Sequence, residues 1–173
     1  MNYWLAQFNP DDIDVISYLR RYFAHFDNIP LDWWLMHKIN MPGQDKEILG
    51  GDIVFIWRAK GKVKAAVSKR GIYGKAVVKD MPGKTREKYG DLIKHYIINQ
   101  SIAHKCFKEP YFDVQYKKLV LDDPILEPEL MHVLHRGKKG KVLDRYQWRT
   151  YMLDEEEGKA IETLVDKHRD TVL

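Results

Sequence analysis

The 173-residue chain has a single cysteine, Cys106. An internal disulfide and a multi-cysteine zinc site are both excluded, and a lone thiol suits a reducing compartment. No apolar run approaches the ~18 residues that cross a membrane, so no membrane partner is expected. The opening MNYWLAQFNPDDID lacks the positive segment and apolar core of a secretion signal. A cytoplasmic location is the expectation. The chain also lacks a phosphate-cradling P-loop, a dinucleotide fingerprint and a nucleophile elbow. The sequence therefore gives no support for an enzyme and calls for no cofactor. One absence is local. Between Ile53 and Lys79 there is no Asp or Glu, against eight basic residues: Arg58, Lys60, Lys62, Lys64, Lys69, Arg70, Lys75 and Lys79.

What is present reads as a globular protein. Hydrophobic residues make up 45% and charged residues 31%, which argues against disorder. At roughly 150 residues per domain the chain is one domain, 1–173. A chain this long buries about 70% of its unfolded surface and folds without staples. The net charge of +4 and the pI of 9.0 permit a polyanionic partner without requiring one. Five Trp and ten Tyr are a surplus for this length.

Periodicity supplies the elements. Asn2–Asn9 is aromatic-rich and partly alternating, a strand. Asn9-Pro10-Asp11-Asp12 is turn and helix-start chemistry. Ile13 to Phe26 carries apolar residues at three- and four-residue steps, a helix. Leu31–Ile39, with the Trp33-Trp34 pair, is open between helix and loop. Ile53–Trp57 is a continuous apolar run, a strand buried on both faces. Alternation puts Phe55 and Trp57 on one face and Val54 and Ile56 on the other. Lys60–Arg70 is a basic loop or a short hairpin. Gly71–Val78 is a strand whose glycines imply close approach of something to the backbone. Thr85–Phe107 reads mostly helical, and 80–110 as a whole as a helical insertion. Tyr111–Leu121 returns to strand, and Asp123-Pro124 starts a short helical turn through Met131. A helix opens after Asp154, where acids suit the positive end of the macrodipole. The class is α+β, with about five strands and helices at the edges and ends.

The acid-free basic stretch is the strongest chemical signal, since clustered Lys and Arg are the footprint of a phosphate backbone. Trp33, Trp34, Trp57 and Tyr73 lie in or near it, and aromatic faces beside cations can stack a base. Trp and Tyr are equally common as core residues, and Trp57 either lines a pocket or packs with Phe55. His132 and His135 have ligand-like spacing but no third partner, so no metal is expected. His104 and Cys106 sit two apart and do not face each other on a helix. Asp11, Asp12 and Asp14 read as capping acids.

Three segments together resemble the EVE domain, a PUA-like family related to YTH domains. Tyr3-Trp4-Leu5 with Asn9-Pro10 resembles its opening strand. Gly51-Asp52-Ile53-Val54-Phe55-Ile56-Trp57-Arg58 and Gly71-Ile72-Tyr73-Gly74-Lys75-Ala76-Val77-Val78 resemble the next two, and Val114-Gln115-Tyr116 a later one. Residues 80–110 depart from the family by being longer and more helical. At the C-terminal end only Thr150 and Leu153 of 147–153 match. The resemblance implies a curved, barrel-like mixed sheet flanked by helices, with a pocket on a basic groove. It also implies binding of DNA or RNA, with a modified base such as a modified cytosine flipped into an aromatic pocket. On that reading Asn9 offers an amide to the base edge, and Trp33 or Trp34 and Trp57 supply walls. Arg58 meets phosphate or base, Gly71 permits close approach, and Tyr73 lies on the adjacent strand. Lys62, Lys64 and Arg70 hold the backbone. The alternatives are an RNA-binding domain of the same fold, a small-molecule binder using the same pocket, or an interaction module built on Lys84–Pro110.

Overall fold

The computed structural model describes residues 1–23, 31–35, 47–61, 69–80, 83–84, 91–134 and 150–170. Its centre is a mixed sheet. The strands are β1 (Tyr3–Phe8), β2 (Leu31–Leu35), β3 (Ile53–Arg58), β4 (Gly71–Val78), β5 (Tyr111–Leu119), β6 (Ile125–Leu126) and β7 (Thr150–Leu153). The spatial order is β2-β5-β4-β3-β1-β7, with β6 on the start of β4. Among the described strands only β1 and β3 run parallel, from Tyr3↔Ile53 to Phe8↔Arg58. The helices are α1 (Val15–Phe23), α2 (Ala103–Lys108), α3 (Glu127–Leu130) and α4 (Glu155–Lys167). This is the α+β class expected from the sequence.

Strand alternation divides the core in two. Trp4, Ala6, Phe8, Val54 and Ile56 face α1 and the 93–97 segment. Tyr3, Leu5, Phe55, Trp57 and Ile72 face α4 and the residues after α3. Each fully buried Leu, Ile or Phe contributes roughly 1.5–3 kcal/mol, so both layers hold the sheet.

Two bulges bend it. Ile56 pairs with Gly74 while Trp57 pairs with Ile72, leaving Tyr73 as an extra residue in β4. A second shift, at Lys75/Ala76, puts an extra Lys117 into β5. An inserted residue kinks a strand and increases its twist, so the sheet curves. It does not close: β2 and β7 end the path among the described residues.

Leu31–Leu35 is a strand, where the sequence left helix and loop open. The reason is tertiary. Asp32 is buried and accepts hydrogen bonds from Tyr18 Oη and Tyr116 Oη, both at 2.7 Å. Tyr116 Oη accepts from Trp34 Nε1 at 2.8 Å. This network ties β2 to β5 and α1. The expected helical turn from Asp123 begins instead with β6, then α3. Between β4 and β5 there is a helical turn at 91–94, a 3-10 turn at Gln100–Ile102 and α2. Residues 85–90 of the expected helix, and residues 62–68 of the expected basic loop or hairpin, lie outside the described residues.

α4 docks closely on β1. Asp154 and Glu157 form a reciprocal capping box at 2.8 and 3.1 Å. A Cβ on Gly158 would fall 2.1 Å from Tyr3 Cγ, so only glycine allows this approach. Lys75 reaches from β4 to Glu162 at 3.2 Å and Asp166 at 2.6 Å.

Candidate functional site

β1 and β3 end side by side at Phe8 and Arg58. The chain then leaves β1 through a turn that sets the position of α1. Asn9 Oδ1 accepts from Asp11 N at 3.1 Å, an Asx-turn. Asn9 Nδ2 donates to Asp12 Oδ2 at 3.1 Å, and Asn99 Nδ2 donates to Asp12 Oδ1 at 2.8 Å. Asp14 N donates to Tyr96 O at 3.0 Å. Asp14 Oδ1 then accepts from Ser17 N at 3.1 Å in the first turn of α1. The turn is thus fastened to the 96–99 loop, and α1 stands off the strand ends.

The space left between them is a cleft of about 590 Å³. Its apolar lining comes from Phe8, Ile13, Ile16, Tyr73 and Leu121. Arg20, Arg58 and Lys69 bring positive charge, and Asp14 and Asp122 negative charge. The β4 bulge puts the extra residue Tyr73 on the α1 side of the sheet, where its ring meets Phe8 edge-on at 6.4 Å. The Tyr73 hydroxyl donates to Lys69 O at 2.7 Å, which fixes the loop entering β4. Burial pushes the Tyr73 phenol above its ordinary value, and the neighbouring Arg58 guanidinium pulls the other way. Arg58 Nη1 is buried with no hydrogen-bond partner among the described residues. Buried donors normally find partners, so this nitrogen has unused bonding capacity at the cleft wall.

Of the residues singled out in the sequence, Arg58 and Tyr73 meet in this cleft. Asn9 borders it, but both ends of its amide are engaged within the turn. Trp34 packs under α1, 7% exposed, bonded to Tyr116. Trp33 lies on β2, but its side chain is outside the described residues, as are Lys62 and Lys64. Trp57 is fully buried on the opposite face with Phe55. Its ring supports the Arg70 guanidinium at 5.6 Å, and Arg70 pairs with Glu127 at 3.2 Å. Trp57 and Arg70 therefore stabilise the core instead of facing the cleft. Gly71 does permit close approach, but to β6: its Cβ would fall 2.2 Å from Ile125 O.

The sequence pointed to neither Arg20 nor Leu121 and Asp122. They reach the cleft from α1 and from beyond β5, and no local motif marks them. The bulge at Tyr73 was also unforeseen; glycines on both sides, Gly71 and Gly74, were its only trace. Among the described residues no group of three His, Cys, Asp or Glu suits a metal ion, and no helix is long and apolar enough to cross a membrane.

No protein-family model and no curated protein matches the chain. Solved structures do. A hypothetical protein from Leishmania major is similar with a TM-score of 0.54 and 14% identity, over 96% of both chains. A protein from Pseudomonas syringae aligns with a TM-score of 0.51 and 18% identity, over 94% of this chain and 98% of its own. ASCH from Zymomonas mobilis aligns with a TM-score of 0.49 and 8% identity, over 97% of this chain and 99% of its own. The first two likenesses show a shared fold.

Proposed function

We propose that the protein is a nucleic-acid-binding module that seats one unpaired base in the cleft between α1 and the ends of β1 and β3. The observation that carries this reading is the pairing of an apolar, partly aromatic hollow with Arg20, Arg58 and Lys69. A base needs apolar walls, and its phosphates need cations at the rim. The resemblance of three segments to EVE domains supports the same reading and extends it to a modified base. The base would enter between Ile13, Ile16 and Leu121 on one side and Tyr73 on the other. Pulling a base out of a duplex costs a few kcal/mol, so an unpaired or damaged base is favoured. The size of the hollow and the polar edges of Asp14 and Ser17 would sense the modification. Trp34 and Trp57, being core residues, take no part.

Titration with matched modified and unmodified oligonucleotides, as DNA and as RNA, tests this. Affinity should fall as salt rises, because phosphate contacts release counterions. Arg58→Met should weaken binding by about 10-fold or more, the worth of one charge-assisted hydrogen bond of ~1.5–3 kcal/mol. Competition between RNA and DNA of one sequence separates the two, since only RNA offers a 2′-OH. Undetectable binding to every oligonucleotide would overturn the proposal.

A further inference from the structure

Arg20 and Asp122 form an ion pair that joins two walls of the cleft. They are 102 positions apart in sequence, one on α1 and one just beyond β5. The ion pairs of Lys75 and Arg70 hold helices to the sheet, and their cations are largely buried. This pair differs: its side chains are 45% and 57% exposed. Exposed pairs are held weakly and exchange partners readily. Among the described residues the other two cleft cations, Arg58 and Lys69, have no carboxylate partner. Asp14, the second acid of the cleft, caps α1. Asp122 is thus the acid set against a cleft cation.

We infer that Asp122 is a built-in competitor for phosphate that holds Arg20 until an anionic ligand takes it over. The inference rests on the reading of the cleft as a nucleic-acid site. A carboxylate and a phosphate present similar pairs of oxygens to a guanidinium, so one replaces the other without rebuilding the geometry. Asp122 then sets how tightly the cleft binds phosphate, and Arg20 is the rim cation that the phosphate contacts.

The test uses Asp122→Asn and Arg20→Gln with two probes, a single-stranded oligonucleotide and inorganic triphosphate. Both changes are at exposed positions, and thermal melting verifies that the fold is kept. Asp122→Asn should tighten binding about 3- to 10-fold at low salt. Arg20→Gln should weaken it by a similar factor and lower the salt slope by about 1. The Arg20 Nε–H resonance should move when either probe is added to the wild type. Equal weakening in both variants, or an Arg20→Gln variant that binds like wild type, would overturn the inference. If triphosphate follows this pattern and no oligonucleotide binds, the nucleic-acid reading falls and the competitor role stands. If the oligonucleotide binds and both variants match wild type, the reverse holds.

Discussion

Replacing Trp57 separates a core role from a ligand-contacting role. The ring is fully buried among Phe55, Ile72 and the α4 side of the sheet. Removing a buried Trp side chain costs about 3–5 kcal/mol. Trp57→Ala also takes away the face beneath Arg70, a desolvated cation–π contact worth up to ~2 kcal/mol. The change should therefore destabilise by about 4–6 kcal/mol, a large part of the ~5–15 kcal/mol that a domain has. Trp57→Phe is the informative partner. It keeps an aromatic face for Arg70 and loses roughly 1–2 kcal/mol of apolar burial. It also deletes Nε1, a buried donor with no partner among the described residues. An unsatisfied donor costs ~1–3 kcal/mol, so the two effects offset and the net should lie within about 1 kcal/mol of zero. Urea denaturation gives the stabilities, and oligonucleotide titration gives the binding. The expected result is that Trp57→Ala is far less stable, while Trp57→Phe matches wild type in binding within about twofold. A Trp57→Phe protein that folds normally but loses base discrimination would refute the core assignment. So would a Trp57→Ala protein destabilised by less than about 1 kcal/mol.

Two further predictions concern α4 and the buried tyrosines. Gly158→Ala drives a methyl into the Tyr3 ring, since its Cβ would fall 2.1 Å from Tyr3 Cγ. Overpacking costs ~1–3 kcal/mol and outweighs the ~1 kcal/mol helix gain, so the melting temperature should drop by roughly 3–6 °C; a rise would refute the close contact. Tyr3 and Tyr73 both titrate above their ordinary value of 10.0, chiefly through burial, with Glu162 adding to the effect at Tyr3. Burial pushes Lys75 down, but its bonds to Asp166 and Glu162 outweigh this and raise it above 10.5. In each case the folded state holds the proton more tightly than the unfolded chain. That stability is fully present below pH ~10 and is lost as pH rises through the folded values. Melting against pH should therefore decline above pH ~10, and Tyr73→Phe should flatten part of the decline; an unchanged slope would refute its share.

The elements that were legible in the sequence are those with strong local patterns. Ile53–Trp57 reads as a doubly buried strand because five consecutive apolar residues suit burial and alternate between two cores. Gly71–Val78 starts and stops where its punctuation says. Asp154 announces α4 because its cap chemistry is local. β2 was not legible, since Leu31–Leu35 lacks alternation. Its identity depends on Asp32 meeting two tyrosine hydroxyls from 14 and 84 positions away. The bulge that presents Tyr73 was hidden for a similar reason: register is a relation between strands. The cleft itself draws on α1, β1, β3, β4 and the segment after β5, so no contiguous motif encodes it.

The acid-free stretch shows how a linear charge run is divided by folding. Read along the chain, its cations form one footprint. In the structure they separate by pleat and by partner. Arg58 ends β3 at the cleft, and Lys69 sits beside it through the Tyr73 bond to its carbonyl. Arg70, one residue on, is buried on the other face against Trp57 and Glu127. Lys75 is consumed by α4. Lys79 is exposed beyond the end of β4. Alternation and docking thus assign two of the six described cations, Arg70 and Lys75, to stability. Meanwhile Arg20, from a helix with no basic run, joins the pair that remains at the cleft. The electrostatic site is therefore a product of topology. The parallel pairing of β1 with β3 brings their ends together, and α1 and the post-β5 segment supply a third cation and its opposing acid. Charge substitutions within 53–79 should accordingly split into two groups. Those at Arg58 and Lys69 would alter binding with little effect on melting, and those at Arg70 and Lys75 would alter melting first.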